Sequence, residues 1–291
     1  MLRIARLHGE HASALAHFLH KHAESSMFLR NNLTRVGIEF KDAEYYGEYF
    51  GAISTDGSIA GVLAHFWNGS LIVQAPDEEL LPRIASFFRG VATRPISAIL
   101  GPADQAYQVI QHLSLSEREY SLNSCEGLYA LKLSALSELA LPQNSSVCAA
   151  CEIHGGLLRE WIRGYEIEAL GRQDTPELET IVETRFNRFT TGTDAWALCI
   201  DQQPVSFSAF NARLPDMVQV GPVWTPPTLR NRGYARILVA ETLRLARELG
   251  AIKGILFTDS PAAAKAYEAI GFRKIGSYRL AILRDTTTLD H

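Results

Sequence analysis

Apolar residues recur along the chain with two periods, and the two alternate. Over residues 9–32 they fall three to four apart, with Leu15, Phe18 and Leu19 on one side, which predicts an amphipathic helix. Three short apolar runs follow: YFGAIS (49–54), SIAGVLAHF (58–66) and SLIVQA (70–75). The turn signals TDG and WNG between them predict antiparallel strands joined by hairpins. A helix over 77–90, a strand over 96–101, a helix over 104–113 and a strand near 127–133 complete the series.

The same order then begins again. A strand over 147–153 precedes helices over 155–170 and 175–189. The strands 195–200, 203–211 and 216–224 form a meander, and a helix over 234–250, a strand over 253–258, a helix over 261–271 and a strand over 277–284 follow. Both halves read helices, antiparallel strands, helix, strand, helix, strand, which predicts an α+β fold that occurs twice. Between the halves, LALPQNSSV (139–147) carries proline and polar residues. The expected division is therefore 1–140, a linker at 141–146, and 147–291.

The two halves differ at one junction. In the first, strand passes to helix through the acidic, glycine-free PDEEL. In the second the junction is VGPVWTPPTLRNRGYAR (220–236), where Pro226 and Pro227 end the strand and Arg230, Arg232 and Gly233 precede a long amphipathic helix. Leu238, Val239, Leu243, Leu245, Ala246 and Leu249 line the apolar face of that helix, and Gly250 stops it. A helix N-terminus presents unpaired N–H groups and partial positive charge. Gly233 and the small Ala235 leave the backbone open, and the arginines add charge, so the junction suits a diphosphate. The same residues also suit a solvated basic turn capping a helix.

With these residues the second half resembles the GNAT N-acetyltransferase superfamily. Arg230, Gly233 and Ala235 are similar to its Gln/Arg-x-x-Gly-x-Gly/Ala signature, and Ala264, Tyr267, Gly271 and Phe272 to its Ala-x-x-Tyr-x-x-x-Gly-Phe signature. The first half resembles a degenerate copy in element order. The resemblance implies two tandem GNAT-like domains, each a mixed, mainly antiparallel sheet flanked by helices. It implies acetyl-CoA as co-substrate, no metal, and transfer of an acetyl group to an amine on a small molecule or peptide. Val223, Trp224 and Thr225 would face the pantetheine arm, and Arg230, Asn231, Arg232, Gly233, Tyr234 and Ala235 would wrap the diphosphate. Tyr267 would be the general acid toward the departing thiolate. Ser260 stands where many relatives carry an asparagine that touches the cofactor, and its shorter reach puts that contact in question. Glu166 and Glu168 are candidates for accepting the amine proton, without an assignment to either. Two alternatives remain open: a non-catalytic CoA-binding sensor, and an acyltransferase that uses another acyl group or a hydroxyl acceptor.

Composition narrows the setting. The chain of 291 residues is 47% hydrophobic and 21% charged with a net charge of −4, which describes a globular protein without the basic field of a nucleic-acid binder. No apolar run reaches the roughly 20 residues of a membrane span, and the N-terminus lacks a signal-peptide pattern, so a cytoplasmic protein is expected. Cys148 and Cys151 form a CxxC without a second ligand pair and read as half-buried strand thiols. His17 and His20 read as a solvated helix surface.

Overall fold

The computed structural model describes residues 2–289. They form two compact units, the first made of 2–128 with 276–289 and the second of 129–275. The first half of the chain supplies β1 (Arg3–Arg6), α1 (Ala12–Lys21), α2 (Met27–Val36), β2 (Gly47–Ile53), β3 (Ile59–Phe66), β4 (Ser70–Gln74), α3 (Leu80–Arg89), β5 (Ile96–Pro102), α4 (Ala103–His112) and β6 (Tyr120–Lys132). The second half supplies β7 (Ser145–Ala149), α5 (Gly155–Glu168), α6 (Pro176–Thr191), β8 (Ala195–Ile200), β9 (Gln203–Arg213), β10 (Met217–Trp224), α7 (Tyr234–Glu248), β11 (Lys253–Thr258), α8 (Pro261–Glu268) and β12 (Arg273–Thr287). The two lists match element for element, down to a three-residue 3-10 turn after the first strand of each, at Gly9–His11 and Ala150–Glu152. The fold is α+β in two tandem copies.

Within the first unit, β1, β2, β3 and β4 pair antiparallel in turn, β4 and β5 run parallel, and β5 pairs antiparallel with β12 from Tyr278 onward. Within the second, β7, β8, β9 and β10 pair antiparallel, β10 and β11 run parallel, and the end of β6 lies next to β11. Residues 276–289 thus belong to the first unit, and the linker expected at 141–146 lies inside the second, just ahead of β7.

Strand alternation sends successive side chains to opposite faces, and the cores follow it. In the first unit Tyr49, Val62 and Ile72 pack with Leu15, Leu19 and Leu29 of α1 and α2. Their neighbours Phe50, Leu63 and Leu71 pack with Ile84 and Phe88 of α3 and Val109 and Ile110 of α4. In the second unit Ala197 and Phe207 meet Leu158, Trp161 and Val182 of α5 and α6, while Val218 and Val220 meet Val239 and Leu243 of α7 and Tyr267 of α8.

Four expectations need correction. β1 is short and arginine-flanked, so its four residues carry no strand signal; it is held by pairing to β2, Arg3 opposite Ile53. The helix expected over 9–32 breaks into a 3-10 turn, α1 and α2, because the polar HAESS at 22–26 turns the chain. β7 ends at Ala149, so Cys151 stands exposed on a 3-10 turn and not half-buried on a strand. β6 and β12 run longer than their apolar runs suggest, to 13 and 15 residues.

Candidate functional site

The second unit opens where β10 and β11 part. Their parallel pairing covers Met217–Gln219 against Lys253–Ile255, yet β10 continues to Trp224 and β11 to Thr258. β10 stays on β9 to its end, Trp224 opposite Phe207, through two irregularities between Gln219 and Val223. Pro222 lies in that irregular stretch, where the missing N–H costs the ladder least. The strand end is pinned from β9: the Ser206 hydroxyl lies 3.0 Å from the Trp224 carbonyl and 2.9 Å from Thr225 Oγ1. Val223, Trp224 and Thr225 therefore sit where β10 has left β11 and still lies on β9.

The junction into α7 follows. Pro227–Leu229 make one 3-10 turn, Asn231 has φ +63°, and Gly233 has φ +80° and ψ 3° as the N-cap of α7. L-residues other than Asn and Asp pay about 1–2 kcal/mol in that left-handed conformation, which glycine avoids. Gly233 offers no capping side chain, so the first-turn amides of α7 receive no side-chain cap. Arg236, in the first turn of α7, has its Nε buried without a hydrogen-bond partner. Tyr234 and Ala235 are half-buried, and Arg232 is exposed, its guanidinium 3.5 Å from the Thr228 carbonyl.

Arg230 is already engaged. Its Nε donates to the Thr225 carbonyl at 2.9 Å, its Nη1 and Nη2 donate to the two oxygens of Glu168 at 2.7 and 2.9 Å, and its guanidinium lies 5.0 Å from the centre of the Trp224 ring. Glu168 therefore does not stand free as a proton acceptor. Neither does Glu166, which is fully buried in ion pairs with Arg172 at 2.9 Å and Arg185 at 2.5 Å. A buried carboxylate held between two guanidinium groups ties α5 to α6 and to the loop after α5.

Tyr267 is 8% exposed on α8, packed edge-on to Phe272 at 6.1 Å between ring centres. Burial, with Tyr165 adding to it, pushes the phenol well above its ordinary value of 10, so it remains protonated. Ser260 is the N-cap of α8, where its hydroxyl accepts from Ala263 N at 3.3 Å and Pro261 fills the first helical position. Sequence reasoning missed Tyr165, Arg236 and Gln219. Gln219 sits at the last parallel pair, buried, donating to the Val220 carbonyl at 2.9 Å while its Oε1 is buried without a hydrogen-bond partner. Its signal was one amide in an apolar strand, MVQV.

In the first unit the end of the corresponding strand is hydrogen-bonded to neighbouring elements. Beyond β4, the Ala75 N–H donates to Gln105 Oε1 of α4 at 2.7 Å, and Gln74 Oε1 accepts from Ser25 at 2.8 Å. The junction there is acidic, with Asp77 accepting from Glu79 N at 3.0 Å. The CxxC is not a pair either: Cys148 lies 3.3 Å from Cys199 Sγ, and burial pushes its thiol up to about 12. Among the described residues no three ligating side chains form a metal site, no helix is long and apolar enough to cross a membrane, and His17 and His20 are exposed.

The second unit thus brings a splayed pair of strands, a left-handed glycine and the N-terminus of α7 together. Residues 157–272, within the second unit, match the model of the Acetyltransferase (GNAT) family. Enzymes of that family transfer acyl groups and use acetyl-CoA as co-substrate. Across both units the chain is similar in fold to a GCN5-related N-acetyltransferase from Sphaerobacter thermophilus (14% identity, 96% of this chain and 94% of that one, TM-score 0.58). It is likewise similar to one from Kribbella flavida (17%, 90% and 94%, 0.56). A tandem GNAT protein from the clavulanic acid biosynthesis pathway matches over 99% of this chain and 98% of that one (12% identity, TM-score 0.55). No curated protein matches in sequence.

Proposed function

We propose that the second unit is an acetyl-CoA-dependent N-acetyltransferase acting on an amine. The observation that carries this reading is the parting of β10 and β11 directly in front of the uncapped N-terminus of α7. Acetyl-CoA supplies an acyl thioester when bound. The amides from Asn231 to Ala235 hold its diphosphate, and Gly233 lets phosphate oxygens reach the backbone. The edge of β10 at Val223–Thr225 orients the pantetheine arm. Tyr267, kept protonated by burial, holds a proton for the departing thiolate, whose own affinity for protons is near that of a cysteine thiol. With Glu166 and Glu168 both engaged by arginines, the amine proton passes to water in the opening.

Thiol release from acetyl-CoA across a panel of small amines and peptide N-termini tests the reading, with calorimetry of CoA alone beside it. CoA binding with amine-dependent thiol release supports it. Binding without turnover on any amine or alcohol favours a sensor, for which the burial of Tyr267 in the core is the supporting observation.

A further inference from the structure

We infer that Arg230 is not a phosphate ligand but a brace for the end of β10, and that Glu168 is the positioning residue that commits it to that role. The inference rests on the proposed cofactor site. The guanidinium has five N–H donors. Three are spent within the protein: one on the Thr225 carbonyl at 2.9 Å and two on the Glu168 carboxylate at 2.7 and 2.9 Å. One face lies against Trp224, which is itself buried against α5; a Cβ built on Gly164 would lie 2.6 Å from the indole. The carboxylate fork fixes the guanidinium plane, and the fixed plane aims Nε–H at Thr225.

The consequence is a mechanical link from the last turn of α5 to the edge that faces the pantetheine. Ser206 holds Trp224 and Thr225 from one side and Arg230 from the other, so the chain leaves β10 in one direction just after its ladder with β11 has ended. Turning Arg230 toward a phosphate would break all three of its contacts at once. The charges for the diphosphate then come from Arg232, which is exposed, and Arg236, whose Nε is buried without a hydrogen-bond partner.

Glu168→Gln gives the test, because the two roles predict opposite signs. As a brace, Arg230 loses its fork, the strand end loosens, and CoA binds roughly two- to fivefold more weakly by calorimetry, the range set by an exposed ion pair. As a phosphate ligand, Arg230 is released from a competing carboxylate and CoA binds more tightly. Arg230→Gln should match Glu168→Gln, and the double variant should be no weaker than either single one. In the free protein, Trp224 emission, isolated against Trp224→Phe, should shift equally in both variants. Tighter or unchanged CoA binding in Glu168→Gln, or additive losses in the double variant, overturns the brace. A wild-type chain that binds no CoA overturns the cofactor reading instead, and the emission shifts then decide the brace alone.

Discussion

Replacing Gly233 separates two reasons why a glycine stands in front of α7. Its φ of +80° puts it in the left-handed region, and the space beside it is open: an added Cβ meets only Arg236 Nη2, at 3.6 Å. Nothing in the protein therefore excludes a side chain by contact. Valine is branched at Cβ and suffers in this conformation, at about 1–3 kcal/mol. At roughly 2–4 °C per kcal/mol for chains of 150–250 residues, melting falls by a few degrees to about ten. Asparagine tolerates the left-handed region and places a similar bulk in the opening. Gly233→Asn should keep the wild-type melting temperature while losing CoA.

The size of that loss follows from the amides beside Gly233. A hydrogen bond to a charged group is worth about 1.5–3 kcal/mol, so one such bond lost to a side chain in the way weakens CoA by roughly tenfold to 150-fold. Calorimetry with CoA reads the affinity, and a thermal melt without ligand reads the strain. Gly233→Val should move both and Gly233→Asn only the first. A folded Gly233→Asn protein with wild-type CoA affinity refutes close approach of the ligand at this position, whatever Gly233→Val does.

Three further outcomes are expected. Tyr267→Phe keeps the ring against Phe272 and removes the hydroxyl, so turnover should drop about 10²–10⁴-fold with CoA affinity retained; a variant at the wild-type rate assigns the proton to another donor, and one that loses stability makes Tyr267 a packing residue. Calorimetry should find one CoA site per chain, since Gln105 occupies the counterpart strand end in the first unit, and a second site surviving in Gly233→Asn contradicts this. His65, held neutral by burial and the nearby Arg94, has its value lowered from 6.5 to about 4, so the unfolded chain takes up this proton first as pH falls. Its contribution is present above pH 6.5 and is lost as the pH falls from 6.5 to 4. Urea melts of wild type and His65→Gln at pH 7 and pH 4 should show the variant losing less on acidification, and equal losses remove His65 as the cause.

How legible this was in the sequence depended on how far each signal reaches along the chain. The core strands and most helices came through because a sheet face or helix stripe repeats every two or every 3.6 residues, and Leu15 and Leu19 or Val239 and Leu243 fall on it. β1 did not, since two apolar residues between arginines have no period to show and owe their conformation to β2. The ownership of the last strand was equally hidden: β12 has the apolar pattern of any strand, and only its register against β5 assigns residues 276–289 to the first unit. At the site, the residues whose roles depend on backbone were readable, Gly233 from its place before an amphipathic run and the prolines from where a ladder must end. The residues whose roles depend on a partner were not. Arg230 looks in sequence like free positive charge, and Glu168 like a solvated carboxylate 62 positions away. That separation is why a linear motif assigned Arg230 to the phosphate. The fork between the two turns on how closely α5 approaches the end of β10, and Gly164 leaves the room there that the Trp224 ring occupies. A motif names the residue types that a site keeps, and a neighbour outside the motif decides which atoms of those residues are left to meet the ligand.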